Sequence, residues 1–115
     1  MSTATNVFER EYLATDGSPI NIGVRESAPI EVVGNQLAVS TTSILARGSF
    51  SMFVDLYGSN DGVAWNRLDG QTITGFGHST YVVSKVAAAF VRISILLSGS
   101  SSAVLFSSTI SQSEQ

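Results

Sequence analysis

The run Phe50-Ser51-Met52-Phe53-Val54-Asp55-Leu56-Tyr57 alternates with a period of two. Successive side chains of an extended chain point to opposite faces, so Phe50, Met52, Val54 and Leu56 share one side. Ser51, Phe53, Asp55 and Tyr57 share the other. The first side is wholly apolar and predicts a strand packed on a core. The second is half aromatic, which predicts partial cover there too. The same period returns further along. Val91, Ile93, Ile95 and Leu97 alternate with Phe90, Arg92, Ser94 and Leu96. Val104, Phe106 and Ile110 lie opposite Ala103, Leu105, Ser107 and Thr109. Gly99 and its serine neighbours separate these last two runs, which together read as a long antiparallel hairpin.

Shorter runs fill the rest of the chain. Val7 to Leu13 carries Phe8 and Tyr12 beside Glu9, Arg10 and Glu11, a mixture suited to an edge strand or an N-terminal arm over residues 1–13. Ile20, Ile22 and Val24 alternate behind the turn Asp16-Gly17-Ser18-Pro19, and Ile30 to Val33 ends at Gly34-Asn35. Leu37 to Ala46 and Tyr81 to Val86 complete the set. Val86 to Phe90 is too short to sustain a helix alone. About eight short strands between turn signals predict an all-β fold: a single antiparallel β-sandwich with jelly-roll-like connections, over residues 14–110. Ser111 to Gln115 reads as a polar, frayed tail.

Composition narrows function. Only 13% of the 115 residues are charged, against about 25% in average proteins. Polarity comes instead from Ser and Thr, about a quarter of the chain. The net charge of −3 offers no field that would gather nucleic acid or an anionic membrane. A hydroxyl-rich surface with few charges repels copies of itself weakly. The chain has no cysteine, which excludes disulfides and thiolate metal sites. The start of the chain is polar and predicts no secretory leader. Its most apolar stretch, Val86 to Leu97, contains Arg92 and is too short for a transmembrane helix, which needs about 20 residues.

One local motif stands out. In Gly58-Ser59-Asn60-Asp61-Gly62 the last three residues tolerate the backbone angles of a tight hairpin, and Ser59 and Asp61 are placed to bond nearby amides. Trp65 then supplies a large anchor that is expected to enter the core. This run, with Trp65, resembles the hairpin of discoidin-type sandwiches. Together with Ala89-Phe90-Val91-Arg92-Ile93 and the closing run Ala103 to Ile110, it is also similar to small β-sandwich structural proteins of phage and prophage. The resemblance spans residues 49–110. It implies a sandwich and, for the phage group, a component of a virion or particle.

Candidates for chemistry are few. His78 is the only histidine. Its neighbour Ser79 would point to the opposite face of a strand, so a nucleophilic pair is not expected there. Asp55, Asp61 and Asp69 lack the spacing of a calcium loop. Arg92 is the sole charge between Val86 and Ile110 and calls for a carboxylate partner, with Asp55 or Asp69 as candidates. Phe53, Tyr57, Phe76 and Tyr81 are candidates for an assembly patch or a sugar-stacking platform. No phosphate-binding glycine loop, basic cluster or RNA-binding aromatic motif occurs, and no cofactor is implied. The expected role is a non-catalytic structural subunit that self-associates or decorates a larger particle such as a virion, shell or filament. The alternative is a β-sandwich module binding carbohydrate or a cell surface. The chain's location stays open, with a virion or a cytoplasmic assembly in view.

Overall fold

The computed structural model describes residues 2–15, 22–48, 50–74, 77–99 and 102–114. They form nine strands: β1 (Ser2–Ala14), β2 (Ile22–Glu26), β3 (Ile30–Glu31), β4 (Gln36–Arg47), β5 (Phe50–Ser59), β6 (Asn66–Ile73), β7 (Gly77–Val83), β8 (Phe90–Gly99) and β9 (Ala103–Ser113). Two antiparallel sheets face each other. Sheet A has the order β1-β9-β4-β7, and sheet B runs β2-β8-β5-β6 with β3 also on β8. β2 takes Ser94 to Ser98 and β3 takes Phe90 and Val91, so the two share one flank of β8. Pro29 lies in the gap between them, where a ladder N–H would be lost. With β2 and β3 counted as one interrupted strand, the order is that of a jelly roll.

The inner faces interdigitate as the alternation requires. Met52, Val54 and Leu56 of β5 stand opposite Leu97, Ile95 and Ile93 of β8. Leu37 and Val39 of β4 and Val104, Phe106 and Ile110 of β9 close the core from sheet A. Phe8 meets Phe106 edge-on, with ring centroids 5.5 Å apart, a favoured aromatic geometry. Two hydroxyls inside this core, on Thr41 and Ser108, satisfy each other at 2.9 Å. Tyr81 reaches from sheet A to sheet B, its hydroxyl donating to the Val54 carbonyl at 3.1 Å. Burial pushes its phenol well above the ordinary range, and the charges of Asp55 and Asp69 push the same way.

Several expectations are corrected. β8 and β9 are not a hairpin: β8 lies in sheet B and β9 in sheet A. Both runs bury one apolar side, and facing sheets satisfy that need as well as a shared ladder does. The strand placed at Tyr81 to Val86 starts earlier and stops earlier, as β7. Ser111 to Ser113 are not frayed but pair with both Ser2–Ala4 and Gln36–Ala38. Gln112 is buried. Its Oε1 accepts from the amides of Val33 and Gly34 at 2.8 and 3.3 Å, and its Nε2 donates to the Glu31 carbonyl at 3.1 Å. One side chain thus holds the β3–β4 connection. Residues 7–13 belong to this chain's own sheet, with Phe8 and Leu13 in the core. The strand is not regular. Its register slips between Asn6 and Phe8 and again before Glu11, and Arg10 takes a positive φ of 50° there, its amide donating to Ser107 Oγ.

Candidate functional site

The 59–65 loop joins β5 to β6 and is built largely by two side chains. Ser59 Oγ accepts from the amides of Asp61 and Gly62 at 3.3 and 2.8 Å. Asp61 Oδ1 accepts from Val63 and Ala64 amides at 2.8 and 2.9 Å and from the Ser59 hydroxyl at 3.0 Å. The Ala64 and Val63 amides, then Ser59, hold the Asp61 carboxyl below the usual carboxylate range. Gly62 takes φ 77°, the left-handed conformation the turn needs. Asn60 Oδ1 ties the loop to the β7–β8 connection by accepting from the Ala89 amide at 3.1 Å. Between these two connections lies an open groove of about 610 Å³, with Leu68, Val83 and Val86 among its apolar lining and Asn60, Asp61 and Lys85 among its polar lining.

Trp65 does not enter the core. It leaves the loop half-buried and lies over Arg92, whose guanidinium carbon sits 4.5 Å from the ring centroid. A cation over an indole face is attracted by the ring quadrupole. That contact offsets part of the cost of Arg92 Nε, which is buried with no hydrogen-bond acceptor among the described residues. Arg92 faces outward on β8, and its carboxylate is not Asp55 or Asp69 but Glu26 of β2, 3.1 Å away. Asp55 pairs instead with Arg67 at 3.2 Å. Register places two carboxylates equally near Arg92, and Asp55 is already engaged by Arg67. Asp55 stands opposite Ser94, not Arg92, and Glu26 is also opposite Ser94 on the far flank, within diagonal reach of Arg92.

These residues share the outer face of sheet B, in three rows across the strands. Arg67, Tyr57 and Arg92 form one, with Trp65 over its β8 end. Gly70, Asp55, Ser94 and Glu26 form the next. Thr72, Phe53, Leu96 and Val24 form the third. Any Cβ at Gly70 would run into Asp55 Oδ1 and Arg67 Nη2, so the glycine makes room for that ion pair. Of the aromatics named from sequence, Phe53 and Tyr57 lie on this face and Tyr81 points between the sheets. Phe76 lies outside the described residues.

The outer face of sheet A is different in kind. Here His78, Thr80 and Val82 stand opposite Thr42, Ser40 and Ala38, which in turn stand opposite Ser107, Thr109 and Ser111. Ser40, Thr80, His78 and Thr42 form one chain of hydrogen bonds. Ser40 Oγ meets Thr80 Oγ1 at 3.0 Å, Thr80 meets His78 Nε2 at 3.0 Å, and Thr42 meets His78 Nδ1 at 2.8 Å. Thr109 donates to Asn6 Oδ1 at 3.2 Å. His78 is thus held between hydroxyls rather than beside a carboxylate. Sequence reasoning passed over this face, although its signal, the hydroxyl runs Ser40-Thr41-Thr42-Ser43 and Ser107-Ser108-Thr109 within strands, was present. Among the described residues no three His, Asp or Glu side chains converge as a metal site would need.

No family model and no curated protein matches the chain. Solved structures of similar shape exist. The PBSX exported protein XepA superposes with a TM-score of 0.66 at 9% identity, over 95% of this chain. This chain spans only 36% of that one. The SPBc2 prophage-derived protein YomS superposes with a TM-score of 0.53 at 11% identity, over 97% of this chain and 94% of its own. A family 29 carbohydrate binding module does so with a TM-score of 0.52 at 12% identity, over 99% and 91%. At these identities the likeness is one of fold: the chain is a β-sandwich whose solved neighbours include phage and prophage proteins and carbohydrate-binding modules.

Proposed function

We infer that this protein is a non-catalytic structural subunit that packs against other copies of itself through the outer face of sheet A, within a larger protein particle of phage type. The observation that carries this reading is the hydroxyl chain Ser40–Thr80–His78–Thr42 with its neighbours Ser107 and Thr109. Docking usually fails on surfaces where charges must be stripped of water. This surface holds no carboxylate, ammonium or guanidinium over the facing residues 38–44, 78–82 and 105–111. Its hydroxyls already bond to one another, so the departure of water leaves few of them unsatisfied. A hydroxyl both donates and accepts, which makes the face complementary to itself. The fold likeness to phage and prophage proteins fits the same reading.

Light scattering across a concentration series, with electron microscopy of the concentrated sample, tests it. The wild-type protein should grow into dimers or larger ordered species. The double variant Ser40→Lys with Thr109→Lys, which places two charges on the face, should stay monomeric with an unchanged β-type circular dichroism spectrum. A wild-type protein that is still monomeric at millimolar concentration would refute the reading. So would a double variant that assembles normally.

A further inference from the structure

The outer face of sheet B supports a second, independent activity. We propose that it is a binding platform for a neutral oligosaccharide, laid across β8 and β5 beneath the 59–65 loop, with Tyr57 and Trp65 as stacking surfaces and the two ion pairs as hydrogen-bonding groups.

Charge identifies the class of ligand. Four of the charged side chains on this face form two ion pairs, Arg92 with Glu26 at 3.1 Å and Arg67 with Asp55 at 3.2 Å, and Glu31, opposite Phe90 at the margin, adds a carboxylate. A nucleic acid or acidic polysaccharide would find no surplus of positive charge. A neutral ligand rich in hydroxyls needs both donors and acceptors, and paired charges offer both. Arg67 keeps guanidinium N–H groups at a side chain 54% exposed, while Glu26 keeps carboxylate oxygens at one 48% exposed. Hydrogen bonds to charged groups are the stronger kind.

Shape points the same way. Trp65 and Tyr57 are both half-buried, so each ring has fixed support and still presents surface. A pyranose ring has an apolar face of C–H groups that lies flat on such rings, with its hydroxyls directed to the side. Arg92 braces the indole from the sheet, and Arg67 lies against the space that Gly70 leaves free. These side chains are therefore positioned before any ligand arrives, which lowers the entropy lost on binding. Among the described residues the indole N–H meets no protein acceptor, which leaves that donor for a sugar hydroxyl. A protein partner would instead have to bury both ion pairs, at a desolvation cost that rim hydroxyls of a sugar in contact with water do not impose.

Trp65 is the only tryptophan, so its emission reports on this face directly. The protein is titrated with neutral hexasaccharides (β-glucan, β-mannan, β-xylan and chitin types) and with a polyuronate hexamer, following fluorescence and calorimetry. At least one neutral hexamer should bind and shift the Trp65 emission. Its affinity should change less than about twofold between 50 and 500 mM salt. Tyr57→Ala should weaken it by about tenfold or more, and Arg67→Met should weaken it while leaving the melting temperature close to wild type. Trp65→Phe, which keeps a ring, should bind better than Trp65→Ala. The charges added by Ser40→Lys and Thr109→Lys should leave the affinity unchanged, which separates this site from sheet A. The proposal is overturned if no neutral hexamer binds at millimolar concentration, or if only the polyuronate binds, with steep salt dependence. It is equally overturned if Tyr57→Ala and Arg67→Met bind like wild type, or if Phe53→Lys abolishes self-association and so shows this face covered by a second copy.

Discussion

The two outer faces of this sandwich rest on one core and solve the problem of meeting water in opposite ways. Sheet A spends its polarity on hydroxyls that bond along the strands, as in the chain from Ser40 to Thr42 through Thr80 and His78. Sheet A keeps its charges on the β1 margin and at the end of β4, whereas sheet B carries aromatic and charged side chains across its face and holds them in contact: Arg92 with Glu26, Asp55 with Arg67, Trp65 over Arg92. The contrast shows how a chain with only 13% charged residues can still present a surface of strong local chemistry. The charges are few, and sheet B concentrates four of them within three neighbouring rows.

Substitutions can probe how independent the faces are. The largest effect should come from below both. Phe106→Ala removes a fully buried ring that touches Phe8, and should cost about 3–5 kcal/mol in urea unfolding. Any variant that damages one face while leaving the other intact at that cost would show that the sheets do not fold as a unit. Gly70→Val comes next. Its side chain would push apart the flexible ends of the Asp55–Arg67 pair, and a loss of about 1 kcal/mol is expected by thermal melting. Self-association through sheet A should persist. Thr42→Val, which breaks the hydroxyl chain at its His78 end, should cost about 0.5–1.5 kcal/mol by the same measurement. Sugar binding should not change.

The smallest effect is local and separates the loop from both sheets. The Asp61 carboxyl is held below its ordinary range by amides it accepts from, so its charged form belongs to the folded loop. That contribution is complete above the ordinary carboxylate range and is lost as pH falls through the lowered value. Acid should therefore shift Trp65 emission while far-ultraviolet circular dichroism still reports intact sheets. Loss of both signals at one pH would mean that the loop and the sandwich open together.

Much of this architecture is legible in the period-two runs. The inner residues of β5, β8 and β9 are those that the alternation names, because a residue on a strand has only two directions to point. What that period does not contain is which strand lies beside which. Ile93 and Phe106 both need burial, and burial is satisfied whether their strands are neighbours in one sheet or face each other across the core. The hairpin read between β8 and β9 failed for that reason. The partner of Arg92 was missed on the same ground, since Glu26 comes near it only through the register of β2. Trp65 was misplaced because a large apolar side chain after a turn has two ways to lose contact with water. It can enter a core, or it can lie on a cation at the surface. β6 offered little signal at all, because its sequence NRLDGQTI belongs to an edge and buries little.

The kink at Arg10 has a consequence for how copies can add to one another. An unbroken strand of 13 residues at the margin of a sheet is an open ladder, able to recruit any extended chain and to extend without limit. The left-handed residue and the two slips of register beside it divide that ladder into short, mismatched lengths. Fibril-like growth from this margin is thereby discouraged, and a copy that docks through the broad side of sheet A instead makes a contact that ends once the surfaces meet.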